Sequence, residues 1–248
     1  MLKRLRLLLA YDGRPFRGWQ SQAGGDAVQD RLEQAFIKVC GQRVVVHGSG
    51  RTDAGVHALG QVAHADVPAG FLPNAKWHAA LNASLPHEIR VLKVSRTKPD
   101  FHARFDARGK IYTYRIWSAP FLHPLEIGRA WFVPGQLDLA VLRVSAARLI
   151  GRHNFAGFAA NRKSGGETDT IRTIHEIAIT RRGSLLTLRF TGDGFLYKMV
   201  RLVTGTLIRC AQHRMPPEFL DELLASGGKK KTHFQAPAEG LYLTRVLY

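Results

Sequence analysis

A chain of 248 residues with 45% hydrophobic side chains can bury one large core or two modest ones, and no apolar run in it reaches the roughly 18 residues that a membrane span requires. Lysine and arginine number 36 against 19 aspartates and glutamates, a formal net charge of +17, so the expected partners are polyanions, nucleic acid before any membrane face. Two cysteines, Cys40 and Cys210, are too few for a zinc cage or a disulfide scaffold, and as buried free thiols they fit a reducing cytoplasm.

Residues 2–12 predict a first strand, with Leu5, Leu7 and Leu9 on one face and Arg4 and Arg6 on the other. The basic residues before this leucine run resemble a secretion signal only superficially, because the run is short and Asp12 and Arg14 follow at once. Asp26 is expected to cap a helix in which Val28, Leu32, Ala35, Phe36 and Val39 recur at helical spacing, with Gly41 ending it. Strands are expected at 44–47 and 61–67, on either side of a glycine-rich loop. A helix follows over 74–85, then a strand over 89–94 and another over 110–117 (KIYTYRIW), rich in aromatic and β-branched residues. In the second half, a helix over 139–150 is stopped by Gly151, strands over 171–180 and 185–190 pair around Arg182 and Gly183, and a long helix covers 195–212. A shorter helix over 217–225 and a strand over 241–247 close the chain. Strands interleaved with helices in both halves imply an α+β fold. Two subdomains are expected, 1–118 and 119–248, divided where three prolines interrupt the pattern between 119 and 134.

The segment 48–64, GSGRTDAGVHALGQVAH, carries the clearest chemical signal. Asp53 stands two residues from Arg51 among Gly48, Gly50 and Gly55, and glycine lets a ligand approach the backbone closely. In an extended loop, positions two apart share a face. An ionised carboxylate beside a guanidinium suits a nucleophile or an electrostatic stabiliser, whereas a general acid must hold a proton. The alternative is a turn aspartate that bonds its own backbone. His57 and His64 could flank the acid, which would allow a metal-dependent phosphodiesterase, but one carboxylate is too few for a divalent ion on a phosphate. No H-E-x-x-H or C-x-x-C is present, and GGKKKT at 227–232 lacks P-loop spacing. A non-catalytic RNA-binding protein would share the same basic surface.

Two further groups bear on chemistry. Tyr112 and Tyr114 share one strand face, which is either core or the floor of a ligand site where a ring stacks on a base. In FLYKMVRLVTG, 195–205, Phe195, Met199 and Leu202 form an apolar stripe, while Lys198 and Arg201 project from it. An arginine near the start of such a helix could give Asp53 a second cationic partner. The polar segment 161–170, NRKSGGETDT, has no assignable role.

YDGRPFRGWQ, GSGRTDAGVHALGQVAH, FHARFDARGKIYTY, FLYKMVR and EGLYL, in this order, resemble the tRNA pseudouridine synthase A family over nearly the whole chain. GRTDAGVHA is the most specific of these segments, and the motif residues show no departure from the family pattern. The resemblance implies two α/β-sandwich-like halves with a merged, mainly antiparallel central sheet and a cleft between them. It implies isomerisation of uridine to pseudouridine at positions 38, 39 and 40 of the tRNA anticodon stem-loop, without metal or organic cofactor, by a cytoplasmic homodimer bridged by one tRNA and independent of any membrane. Asp53 then matches the catalytic aspartate, Tyr112 the tyrosine that stacks on the uracil and helps remove the C5 proton, and Arg201 the basic partner of the acid. Arg51 matches the arginine that intercalates where the nucleotide leaves the stack, and His57 falls in the same motif as a candidate substrate-binding residue.

Overall fold

The computed structural model describes residues 1–160 and 169–248; residues 161–168, most of the polar segment 161–170, lie outside them. The chain divides into two compact units, Met1–Arg108 with Tyr242–Tyr248, and Gly109–Leu241. Each is α+β with mainly antiparallel strand pairing.

In the first unit, β1 (Leu2–Tyr11) pairs antiparallel with β3 (His57–Pro68) and with β4 (Ile89–Arg96). The short β2 (Val46–Gly48) lies antiparallel on β3. The alternation read in β1 holds: Leu5, Leu7 and Leu9 are fully buried, while Arg4 and Arg6 lie on the opposite face. Helices α1 (Val28–Cys40) and α2 (Asn74–Ser84) bury Leu32, Phe36, Trp77 and Leu81, with the Phe36 and Trp77 rings 5.6 Å apart. Asp26 does not cap α1. The cap position is Ala27, and its N–H donates to Asp30 Oδ2 at 2.9 Å from within the first turn. Gly41 ends the helix as expected, with φ +72°. The unit is completed by residues distant in sequence. Strand β10 (Leu241–Leu247) runs parallel to β3, placing Tyr242 opposite His57, and Tyr248 Oη donates to the Ala103 carbonyl at 2.6 Å.

In the second unit, β5 (Gly109–Trp117) pairs with β9 (Leu185–Gly192), β9 with β8 (Ile171–Arg182), and β8 with β7 (Gly151–Asn154), all antiparallel. Strand β6 (Trp131–Phe132) adds a two-residue parallel pairing to β5. Neither β6 nor β7 is long enough to carry a periodic signal. Helix α3 (Leu139–Ala147) is capped by Asp138, whose carboxylate accepts from the Ala140 and Val141 N–H groups. Helix α5 (Glu218–Ala225) falls close to its expected place. Helix α4 is shorter than expected, Met199–Ala211 rather than 195–212. Lys198 has φ +61°, a left-handed conformation that no helix continues through, so Phe195 and Lys198 stand before the helix. Every α4 residue except Arg209 is buried, which makes α4 a core helix rather than an amphipathic one.

Candidate active site

The acid loop, residues 49–56, joins β2 to β3 and is fixed from below by buried polar groups. Ser49 Oγ donates to Gln61 Oε1 at 2.6 Å, and Gln61 Nε2 donates to the Gly50 carbonyl at 3.0 Å. The Tyr11 and Thr52 hydroxyls meet at 2.8 Å, and the Trp19 N–H donates to the Thr52 carbonyl at 3.1 Å. Ser49 and Gln61 are fully inaccessible to solvent. Burial pushes the Tyr11 phenol up to about 12, so it stays a neutral hydrogen-bonding group at any physiological pH. The residues DGRPFRGW, 12–19, thus form the brace against which the acid loop rests.

Above this anchor the loop alternates. Arg51 is exposed, Thr52 is buried, and Asp53 is partly buried. The Val56 N–H donates to the Asp53 carbonyl at 3.1 Å, closing a turn whose third residue, Gly55, has φ +78°. That conformation strains any residue with a Cβ, which is the local reason for the sequence DAGV. Gly48 serves a different purpose from the one its place beside the acid suggested. A Cβ there would strike the Trp19 indole, so its missing side chain makes room for packing and not for a ligand. Arg51 is positioned by Gln20, whose Oε1 accepts from Arg51 Nε at 3.0 Å.

His57 begins β3 directly after the loop and is 3% exposed. Its Nδ1 accepts from the Gly13 N–H at 3.1 Å, and Tyr242 stacks on its ring at 4.6 Å with an interplanar angle of 16°. Asp12 Oδ1 lies 3.3 Å from the same nitrogen. His64 lies further along β3 in a separate cluster: its Nδ1 accepts from the Ala103 N–H, and its ring meets His47 and His102 at 4.9 and 4.6 Å. Burial, then the neighbouring His102, His47 and Arg4, lowers its pKa to about 4.

Tyr112 and Arg201 belong to the second unit. Tyr112 lies on β5 opposite Phe190 and meets the Phe195 ring edge-on at 5.2 Å and 86°. Tyr114, on the same face, is fully buried, and its Oη donates to the Pro237 carbonyl at 2.7 Å. Burial raises its pKa far out of reach. Arg201, in the first turn of α4 and 9% exposed, donates from Nε to the Ala236 carbonyl at 2.8 Å, and its own carbonyl accepts from the Ala236 N–H. Tyr114 and Arg201 are therefore both tied to residues 236 and 237. Sequence reasoning gave no role to the supporting residues Tyr11, Trp19, Thr52 and Gln61. Their signal was that all four fall inside YDGRPFRGWQ and GSGRTDAGVHALGQVAH, and that an acid loop of this length needs internal hydrogen-bond partners for its buried backbone.

These observations define the class: a basic α+β protein that presents a carboxylate on a braced, arginine-bearing loop. A family model described as tRNA pseudouridine synthase matches residues 8–106 and 145–248. The chain is 46% identical to tRNA pseudouridine synthase A of Akkermansia muciniphila, with 100% of this chain and 96% of that protein aligned. It is 44% identical to the protein of the same name from Solidesulfovibrio magneticus, covering 100% and 92% of the two chains, and 39% identical to that of Bacillus licheniformis, covering 99% of each. The chain belongs to the tRNA pseudouridine synthase family, isomerases that act on tRNA uridine. No helix among the described residues is long and apolar enough to cross a membrane.

Proposed function

We propose that this chain isomerises uridine to pseudouridine at positions 38, 39 and 40 of the anticodon stem-loop, with Asp53 as nucleophile. The observation that carries this reading is the acid loop itself. Asp53 is held by a turn on a loop whose underside is hydrogen-bonded throughout, while Arg51 beside it remains exposed. A carboxylate carried on a preorganised backbone has less freedom to lose when it meets substrate. In the reaction the N1–C1′ bond of uridine breaks and a C5–C1′ bond forms. The C5 proton is lost and N1 gains one, so no redox partner or other co-reactant is needed.

Arg51 fills the place of the extruded nucleotide, a step that costs a few kcal/mol of unstacking. Tyr112 stacks on the uracil, recovering about 1–3 kcal/mol, and assists removal of the C5 proton. Arg201 is the cationic partner of the acid. His57 contributes to substrate binding by fixing the exit of the loop, through Gly13 on one side and Tyr242 on the other. The enzyme works in the cytoplasm as a homodimer bridged by tRNA, and the net charge of +17 supplies docking energy that weakens steeply with salt.

Asp53→Asn tests the reading. Pseudouridine formation in an anticodon stem-loop transcript should fall by more than about 10³-fold, while tRNA affinity stays near that of the unsubstituted protein. Turnover within about tenfold of the unsubstituted protein would remove Asp53 as nucleophile.

A further inference from the structure

Residues 102–106 form a turn whose backbone is tied to its own side chains. The His102 N–H donates to Asp106 Oδ2 at 3.0 Å, and the Asp106 N–H returns to the His102 carbonyl at 3.1 Å. His102 Nδ1 accepts from both the Arg104 and the Phe105 N–H groups, at 3.1 and 3.2 Å. An Nδ1 that accepts two bonds leaves the ring proton on Nε2. The Phe105 ring lies on the His102 ring at 4.2 Å and 28°, and His102 in turn meets His64 at 4.6 Å and His47 at 5.9 Å. Ring contacts thus run from the buried His64, which meets His102 edge-on at 63°, through the His102–Phe105 stack to Phe105, which is 74% exposed. The Arg104 guanidinium stands 5.7 Å from the Phe105 centroid.

The inner face of the phenyl ring lies on His102, but its outer side, 74% of the residue being exposed, gains little for the fold because it remains in water. A rigid ring with one covered face and one open face, rimmed by a guanidinium, matches a planar π-system attached to a phosphate. We propose that Phe105 is a stacking platform for an unpaired nucleobase of the bound RNA, with Arg104 taking the adjoining phosphate. The proposed homodimer needs a face of its own, and the Arg104 guanidinium at this rim favours a phosphate over a second copy of this chain. The platform rests on the reading of this chain as a tRNA-directed enzyme and adds an RNA contact apart from the acid loop.

The test uses the full chain with Phe105→Ala, Phe105→Trp and Arg104→Ala, a tRNA anticodon stem-loop transcript and single-stranded oligouridine. Phe105→Ala should weaken binding of one or both RNAs by about 5- to 100-fold, with an unchanged melting temperature because the ring is exposed. Phe105→Trp should bind as the unsubstituted protein does, and RNA should quench the added indole. Arg104→Ala should reduce the salt dependence of binding by about one charge. Equal affinity of Phe105→Ala and the unsubstituted protein for both RNAs overturns the platform, whatever the activity. A change of sedimentation mass in Phe105→Ala overturns it too, in favour of a contact between copies. If the unsubstituted protein makes no pseudouridine yet Phe105→Ala still weakens RNA binding, the enzymatic reading fails and the platform stands.

Discussion

Tyr112 and Tyr114 stand two residues apart on one face of one strand, yet the structure gives them different surroundings. Tyr114 is sealed, with its hydroxyl given to the Pro237 carbonyl. Tyr112 is 8% exposed and lies against the edge of Phe195, just before the helix that carries Arg201. The acid loop shows the same division of labour. Thr52 is turned inward to Tyr11, while on either side of it Arg51 is exposed and Asp53 partly buried. Neighbouring positions are thus split: Tyr114 and Thr52 hold their elements in place, and under the proposed function Tyr112 and Asp53 are the ones that meet substrate.

The sharpest way to break this comparison is to remove both phenol groups separately. Tyr112→Phe should slow pseudouridine formation by about 10²–10⁴-fold, the usual worth of a proton-transfer group. Tyr114→Phe should leave the rate within a few-fold and instead lower stability by about 1–3 kcal/mol, because the Pro237 carbonyl loses its donor. Single-turnover kinetics and urea titrations read the two effects, and equal rate losses in both variants would erase the distinction.

Gln61→Leu asks how much the anchor of the acid loop matters. It strands the Ser49 hydroxyl and the Gly50 carbonyl, at about 1–3 kcal/mol for each buried group left without a partner. Melting temperature and turnover should fall together. A variant that melts lower but turns over normally would show that the loop holds its shape without this glutamine.

The smallest effect concerns pH. His64 titrates near 6.5 in an unfolded chain and at about 4 when folded, because burial first, and then His102, His47 and Arg4, oppose its charge; Asp66 acts weakly the other way. A folded state that resists protonation is fully favoured above pH 6.5 and loses that advantage as pH falls from 6.5 towards 4. Urea midpoints should therefore drop over this window. The drop should be shallower in His64→Asn, whose side-chain oxygen can still accept from the Ala103 N–H. Parallel curves would assign the acid sensitivity to other groups.

Local periodicity carried much of the architecture. The buried face of β1, the body of α1 and the β8–β9 hairpin follow from alternation, helical spacing and a glycine turn. The start of α4 did not, because apolar spacing runs on through Phe195 while the break comes from the left-handed backbone at Lys198. Ala27 replaced Asp26 at the α1 cap because Asp30 supplies the bond from inside the helix. At the site, the glycine-bearing turn that carries Asp53 was legible, with Gly55 at φ +78°. The support from Gln61, Thr52 and Tyr11 was not, since it depends on strand register, which no local pattern encodes. Nor could pattern show that Tyr114 bonds the distant Pro237 carbonyl, because that partner lies 123 residues away.

The parallel seam between β10 and the start of β3 has a consequence for biosynthesis. Tyr242 covers His57, and Tyr248 reaches both the Ala103 carbonyl and, with its ring 4.3 Å from the guanidinium, Arg6. A ribosome delivers the acid loop long before it delivers these two tyrosines. A nascent chain therefore carries the Asp53 loop with its exit at His57 uncovered until the seam closes.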